Sequence, residues 1–369
     1  MKKYVNRLLD AVKRSKEIYQ RVFDESHSGV YLYGAGFVGR WTIDYFKGQN
    51  IPILGVIDSD PRRIGEVFEG QYIITDDVNQ IAKEHPIIIS SRHAVYGITK
   101  KINERTNPII SIDSFVVHKE YLPELERLET LFRADTKSLE TFRAVLLSMI
   151  LGHTEPLTEY ADHSPFFSRY DFFNRDGEVF VDAGAYVGDS VERFIWSVNG
   201  AFREIHAFEP GLPQYRALNL RLTRLINEWA IKPESVKINH AALSDHNGYS
   251  RIERRDEHIR TRIGVSVDTL HDSAVDKIKN ITLDTYFSHN SLSLLKVDVE
   301  GSEEALVGGG AKVIVRDKPR IALSVYHYPT DLLRLTLQIA TINPDYTFTL
   351  GHHSTQLMDT VLYCRTKYG

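Results

Sequence analysis

Read for its alternation of apolar and polar positions, the chain falls into three stretches. An amphipathic opening helix is followed by a short apolar run, Val30-Tyr31-Leu32-Tyr33, that leads straight into Gly34-Ala35-Gly36-Phe37-Val38-Gly39 and a helical stretch from Arg40 to Lys47. This is the pattern of a strand, a tight turn and a helix. A second run, Ile51 to Ile57, ends at Asp58 and is stopped by the turn chemistry of Ser59-Asp60-Pro61. Ile87 to Ser90 predicts another strand, Tyr96 to Glu104 a helix, and Pro108 to Ile112 a further strand. Strands alternating with helices predict a parallel, doubly wound sheet over residues 1–117.

Residues 118–170 change to helical spacing, with Leu122, Leu125, Leu128, Leu131 and Phe132, then Leu139, Phe142, Val145, Leu146 and Met149. They predict a helical connector, ending near an aromatic cluster, Phe166 to Phe173, expected to pack into the core of the next domain, with lining of its pocket as the alternative. From Glu178 the strand and helix alternation restarts. Strands are expected at Val179–Asp182, Glu204–Phe208, Val236–Ala241, Leu294–Val297, Arg320–Val325, Tyr346–Leu350 and Thr360–Cys364. The last two are close enough in sequence for an antiparallel pair. The expectation is an α/β chain of two Rossmann-like doubly wound domains, the second (171–369) with seven strands.

Composition narrows the function classes. A length of 369 residues, 42% of them apolar, calls for more than one core. A net charge of -4, with basic and acidic residues interspersed, predicts no nucleic-acid partner. The lone Cys364 excludes an intramolecular disulfide and a cysteine zinc site, and fits a reducing compartment; cytoplasm is the expected location. Met1 to Asp24 lacks the apolar core of a signal peptide, and no run approaches the ~18 apolar residues of a membrane span, so no membrane association is expected.

The candidate chemistry lies in the second domain. In Val179-Phe180-Val181-Asp182-Ala183-Gly184-Ala185-Tyr186-Val187-Gly188-Asp189-Ser190, glycines stand where a first strand must turn sharply into a helix and let the backbone approach a ligand. Glu209 falls at the end of the second strand, where a carboxylate can accept two hydrogen bonds from a ribose diol. On the fourth strand Lys296, Asp298 and Glu300 alternate with Val297 and Val299, which predicts three charges on one side of an extended chain. Such a row is tolerated if the carboxylates pair with Lys296 or meet a ligand or cation.

Four segments together, Asp182 to Gly188, Phe208-Glu209-Pro210, Ala241-Ala242-Leu243-Ser244-Asp245 and Leu295-Lys296-Val297-Asp298-Val299-Glu300-Gly301-Ser302-Glu303, resemble the FkbM-type methyltransferases. The Lys-x-Asp-x-Glu-Gly segment is the most specific of them. The resemblance implies a class I fold that uses S-adenosylmethionine and methylates a hydroxyl of a small or carrier-linked, sugar-like acceptor in polysaccharide or natural-product biosynthesis. It implies that Gly184 and its neighbours Asp182, Ala185, Tyr186, Gly188 and Ser190 meet the methionine part of the cofactor. Glu209, with Pro210 beside it, would meet the ribose, and the region from Ala241 and Ala242 to Asp245 the adenine. Asp298 and Glu300 would face the methyl group and the acceptor, with Lys296 among them.

Methyl transfer to a hydroxyl needs a base. The fifth strand leads into Tyr326-His327-Tyr328-Pro329, and His327 is the candidate, since imidazole titrates near neutrality and a carboxylate can orient it. A hydrogen-bonded structural histidine is the alternative. His352 and His353 rank lower, and as neighbours on a strand no more than one of them is expected to reach a pocket. The residues admit a divalent metal on Asp298, Glu300 and a histidine, but their spacing demands none.

In the first domain Gly34, Gly36 and Gly39, with Phe37 and Val38 between them and Asp58 ending the next strand, match the dinucleotide fingerprint in context. The stretch Ile53 to Gly70 also resembles, more loosely, Rossmann-type domains that precede sugar-modifying enzymes. NAD or a nucleotide sugar could sit there; the other reading is a domain kept for positioning or homodimerisation. Catalytic NAD chemistry is not expected. The rival for the whole chain is an NAD(P)-dependent oxidoreductase or nucleotide-sugar-binding protein with an auxiliary second domain.

Overall fold

The computed structural model describes all residues except 1–2, 103–105, 163–165, 168–171, 173–176, 254–261, 267–276 and 367–369. The chain divides into two compact units: residues 1–161 with 326–333 and 352–360, and residues 162–325 with 334–351 and 361–369. No helix among the described residues is long and apolar enough to cross a membrane.

The first unit opens with helix α1 (Lys3–Glu25) and builds one six-stranded sheet in the order β3-β4-β2-β1-β5-β6. Its strands are β1 (Val30–Tyr33), β2 (Ile53–Ile57), β3 (Val67–Phe68), β4 (Tyr72–Thr75), β5 (Ile87–Ile89) and β6 (Ile109–Ser111). All pairs are parallel except the β3–β4 hairpin, which the apolar pattern had not revealed because it is short and mostly solvated. β5 is three isoleucines buried on both faces, as a strand covered by helices requires. Helix α2 (Phe37–Lys47) leaves β1, and α3 (Val95–Lys101) follows β5.

Helices α4 (Ile112–Val116), α5 (Leu122–Phe132) and α6 (Thr136–Leu151) belong to this same unit. Thus the helices of the expected connector do not stand apart. Their apolar stripe, including Leu128, Phe132, Phe142 and Leu146, is fully buried, and α1 packs along α6. Asp135 caps α6 by accepting from Ser138 N at 3.3 Å.

The second unit carries a seven-stranded sheet in the order β16-β17-β15-β14-β7-β8-β9. The strands are β7 (Val179–Ala183), β8 (Glu204–Phe208), β9 (Val236–Asn239), β14 (Leu294–Val297), β15 (Arg320–Ser324), β16 (Tyr346–His352) and β17 (Thr360–Thr366). All seven expected strands are present. β17 inserts antiparallel beside β15, while β9, β8, β7, β14 and β15 run parallel. Helix α7 (Asp189–Ser197) follows β7 and α8 (Leu212–Glu228) follows β8. Phe166 and Phe172 join the core with Phe180, Phe194 and Tyr363, as expected of the aromatic cluster; residues 168–171 and 173 of that cluster lie outside the described residues.

One element corrects the sequence reading. The strand expected to run through Ala241 stops at Asn239, and β10 (Ala242–Leu243) pairs instead with β13 (Lys277–Ile281). With β11 (Gly248–Glu253) and β12 (Arg262–Ser266) these form a separate four-stranded sheet. Its strands escaped notice because a sequence such as Lys277-Ile278-Lys279-Asn280-Ile281 buries only alternate residues and offers no apolar run. The unit is completed by α9 (Leu283–Tyr286), α10 (Glu303–Gly309), α11 (Ala311–Asp317) and most of α12 (Asp331–Ile342).

Candidate functional site

The site of the second unit is built where β7, at the sheet's centre, turns into α7. Gly184 has φ +76°, and a Cβ on it would lie 1.8 Å from the carbonyl oxygen of Asp298. Only glycine therefore lets the loop pass this close to the end of β14. Ala183 O accepts from Asp298 N at 3.0 Å, and Phe208 O accepts from both Gly184 N and Ala185 N, at 3.1 and 2.9 Å. Gly188 N donates to Ala185 O at 2.7 Å and closes the turn. Tyr186, with φ +48°, is 48% exposed, while Ala185 beneath it is fully buried.

Behind this loop stands a buried ionic brace. Asp182 and Lys296 are partners in the β7–β14 register. Lys296 Nζ, only 3% exposed, lies 2.9 Å from Asp182 Oδ1 and donates to Gly184 O at 2.8 Å. Ser190 in the first turn of α7 donates to the other oxygen of Asp182, and the Phe166 ring lies 5.2 Å from the ammonium. Burial alone would lower the Lys296 pKa, but the charges of Asp182 and Asp298 outweigh it and hold the amine charged. Through these two contacts Lys296 braces the loop backbone.

Glu209 stands at the end of β8 with 6% exposure. Its Oε2 accepts from Tyr186 N at 2.9 Å and its Oε1 from Gly211 N at 2.7 Å. Burial raises its pKa from 4.5 to about 7, against the pull of these two backbone donors. Each carboxylate oxygen keeps further acceptor capacity, the chemistry a vicinal diol needs. Pro210 follows, with His240 Nε2 3.0 Å from its carbonyl oxygen. Ala241 and Ala242 are buried where β9 gives way to β10.

The row expected from Lys296 to Glu300 is corrected. β14 ends at Val297, and Glu300 has φ +53° in a turn, so it leaves the extended alternation that would have aligned it with Lys296. The turn is held by Glu303, 2% exposed, whose Oε1 accepts from Val299 N at 2.8 Å. Glu303 was given no role from sequence, although the Glu-x-x-Glu spacing across the turn was its signal.

His327 is buried three residues beyond β15, in the segment Tyr326–Leu333 that belongs to the first unit. His352 and His353 are both buried; His352 Nδ1 is 2.9 Å from Thr360 Oγ1, and His353 N donates to Asp359 O at 3.0 Å.

In the first unit the glycine fingerprint takes up a related geometry. Asp58 Oδ2 accepts from Ala35 N at 2.7 Å and Oδ1 from Asp60 N at 2.9 Å, while Ser90 Oγ donates to Gly34 O at 2.7 Å. Gly39 lies so close to Gly34 that a Cβ would be 2.2 Å from its carbonyl oxygen. Gly36 faces open space, and Phe37 and Val38 are half-buried at the start of α2. A Tyr-x-x-x-Lys spacing of the kind used for hydride transfer, Tyr96 to Lys100, lies on α3 of this unit with Tyr96 73% exposed.

The family model described as the Methyltransferase FkbM domain matches residues 182–350. No curated protein matches the sequence closely enough to count as a relative. Among solved structures, the chain is similar to the methyltransferase FkbM from Methylobacillus flagellatus KT, with 20% identity and a TM-score of 0.60 over 98% of this chain and 99% of that one. An rRNA methylase from Streptococcus thermophilus gives 14% identity and a TM-score of 0.33 over 53% of this chain and 93% of its own. Strand order, braced glycine loop and family match agree: residues 182–350 of this chain form an FkbM-type methyltransferase domain.

Proposed function

We propose that the chain transfers the methyl group of S-adenosylmethionine to a hydroxyl of a small or carrier-linked, sugar-like acceptor. The observation that carries the cofactor half is Glu209: a buried carboxylate, anchored by two backbone donors beside the glycine loop, with acceptor capacity left for a ribose diol. The cofactor supplies a methyl group made electrophilic by its sulfonium. The loop from Gly184 to Gly188 has the close-approach backbone that suits its methionine part, and the buried surface of Ala241 and Ala242 suits its adenine. Hydroxyl as the acceptor atom rests on the family resemblance.

In-line displacement asks alignment of the protein, and removal of one proton from the attacking oxygen. Asp298 and Glu300 are assigned to the acceptor side. His327 is assigned as proton acceptor, supported by its burial and its place in the segment that follows β15. The rival reading as an NAD(P)-dependent oxidoreductase is not favoured, because the family match lies on the methyltransferase domain.

Calorimetry with S-adenosylhomocysteine, S-adenosylmethionine and NAD tests the assignment. Adenosyl-sulfur ligands bind, and Glu209→Ala weakens them ~10- to 100-fold, the value of hydrogen bonds to a charged group. Binding of NAD alone would overturn it. Candidate glycans screened for methyl incorporation identify the acceptor, and His327→Ala then slows transfer at least ~100-fold; near-normal turnover retires His327 as the base.

A further inference from the structure

The segment Tyr326–Leu333 has no strand of its own and only the first residues of α12, yet side chains of the first unit tie it down at both ends. At its start Arg92 Nη1 donates to Tyr326 O at 2.6 Å. Arg92, from the turn after β5, is itself fixed by Asp113 of α4: Nε lies 2.9 and 3.1 Å from the two carboxylate oxygens and Nη2 2.7 Å from Oδ1. Both side chains are buried, at 9% and 2% exposure, so the guanidinium is held by a charge it cannot exchange for water. Further along, the fully buried Tyr121 donates its hydroxyl to Pro329 O at 3.0 Å and accepts from Leu333 N at 3.2 Å. Between these points Tyr328 stacks on Phe37 of the first glycine loop, with ring centroids 5.0 Å apart and planes 7° apart.

The carbonyl that Arg92 grips belongs to the same rigid peptide plane as the backbone nitrogen of His327. Fixing Tyr326 O therefore fixes the N–Cα bond of His327 and leaves its φ as the one backbone torsion between the grip and the departing side chain. Tyr121 closes the other side by pinning Pro329 and Leu333. A clamp needed only for cohesion would have no reason to place a buried guanidinium on this one peptide, when apolar packing costs less to bury.

We propose that Arg92 and Tyr121 are positioning residues that set the orientation of His327 within the first unit. The importance of this for turnover rests on the reading of His327 as the base, but the positioning is measurable by itself. The experiment uses the full chain labelled with ¹³C at histidine Cε1, the His327 resonance being assigned by its loss in His327→Ala. Arg92→Lys keeps a charge opposite Asp113 but lacks the planar fork, and Tyr121→Phe removes a single oxygen. In each, the His327 resonance shifts by more than its linewidth, while the resonance of His206, buried in the second unit between Glu204 and Tyr286, stays in place and S-adenosylhomocysteine binds with unchanged affinity. A fall in thermal stability with the His327 resonance unmoved in both variants would reduce the clamp to a structural one and overturn the proposal. Should Arg92→Lys fail to fold, Tyr121→Phe decides alone. Failure of the wild-type chain to bind S-adenosylhomocysteine would sink the cofactor assignment, while the resonance comparison between wild type and variants still judges the clamp.

Discussion

The two glycine loops of this chain solve the same backbone problem with different chemistry behind them. In both, a strand turns into a helix through a glycine of positive φ, Gly34 at +116° and Gly184 at +76°. In both, an acid at the end of the next strand accepts from two backbone N–H groups, Asp58 from Ala35 and Asp60, Glu209 from Tyr186 and Gly211. In both, the glycine carbonyl is held from behind. There they part: Ser90 Oγ holds Gly34 O at 2.7 Å, whereas Lys296 Nζ holds Gly184 O at 2.8 Å and is locked to a fully buried Asp182. A neutral hydroxyl is enough to keep a loop in shape. A buried ion pair is rarely the cheapest way to do so, and its presence points to an electrostatic task for the second loop. The backbone device alone does not assign a function; the charges behind it distinguish the two loops.

The sharpest way to break this comparison is at the glycines. Gly184→Ala sets a methyl group 1.8 Å from Asp298 O, a backbone atom that cannot move without parting β7 from β14, on top of the strain of a positive φ. The expected cost is at least ~4 kcal/mol, with loss of S-adenosylhomocysteine binding in whatever folds. Gly34→Ala meets Ser90 Oγ at 2.8 Å and Ser91 N at 2.9 Å, and should cost about 2–3 kcal/mol while leaving adenosyl binding intact. Urea unfolding and calorimetry on both variants check this; equal loss of binding would mean that the two loops are not separate in function.

Next in size is the brace itself. Lys296→Met leaves Asp182 buried without its counter-charge and should cost ~3–5 kcal/mol, and the double variant with Asp182→Asn should regain most of that. Ser90→Ala at the equivalent place loses one neutral hydrogen bond, worth about 1 kcal/mol. Denaturation midpoints of the four proteins give the comparison directly. A Lys296→Met chain no less stable than Ser90→Ala would mean that the ion pair is not what holds the second loop.

How much of this could be read from the sequence follows the same division. Glycine spacing and apolar runs report the backbone, so β1, β2, β5 and β6, the seven strands of the second sheet and both loops were legible from local pattern alone. The partner of Lys296 was not. Sequence proximity suggested Asp298 and Glu300, whereas the parallel register of β7 with β14 brings in Asp182, more than a hundred positions away, and a single positive φ removes Glu300 from the strand row. Nor was the four-stranded sheet from β10 to β13, whose alternate residues are polar. The clamp on Tyr326–Leu333 joins Arg92 and Tyr121 to positions more than two hundred residues on, and no local periodicity carries that information.

The smallest expected effect sharpens the comparison through pH. Glu209 in the folded, ligand-free chain has its pKa raised from 4.5 to about 7 by burial. Between those values the folded state keeps a proton that the unfolded chain releases, so stability falls as pH rises through the window, by about 3 kcal/mol at the most. Ligand binding should run the other way. The ionised carboxylate is the form that accepts both ribose hydroxyls, so adenosyl affinity rises with pH and levels off above about 7, with a proton released on binding below that point. Calorimetry at pH 6.5 in buffers of different ionisation enthalpy measures that proton. Glu209→Gln should abolish both slopes, and Asp58→Asn should leave both in place. If the slope instead disappears with Asp58→Asn, the carboxylate that senses the adenosyl ligand belongs to the first loop, and the roles assigned here to the two loops are reversed.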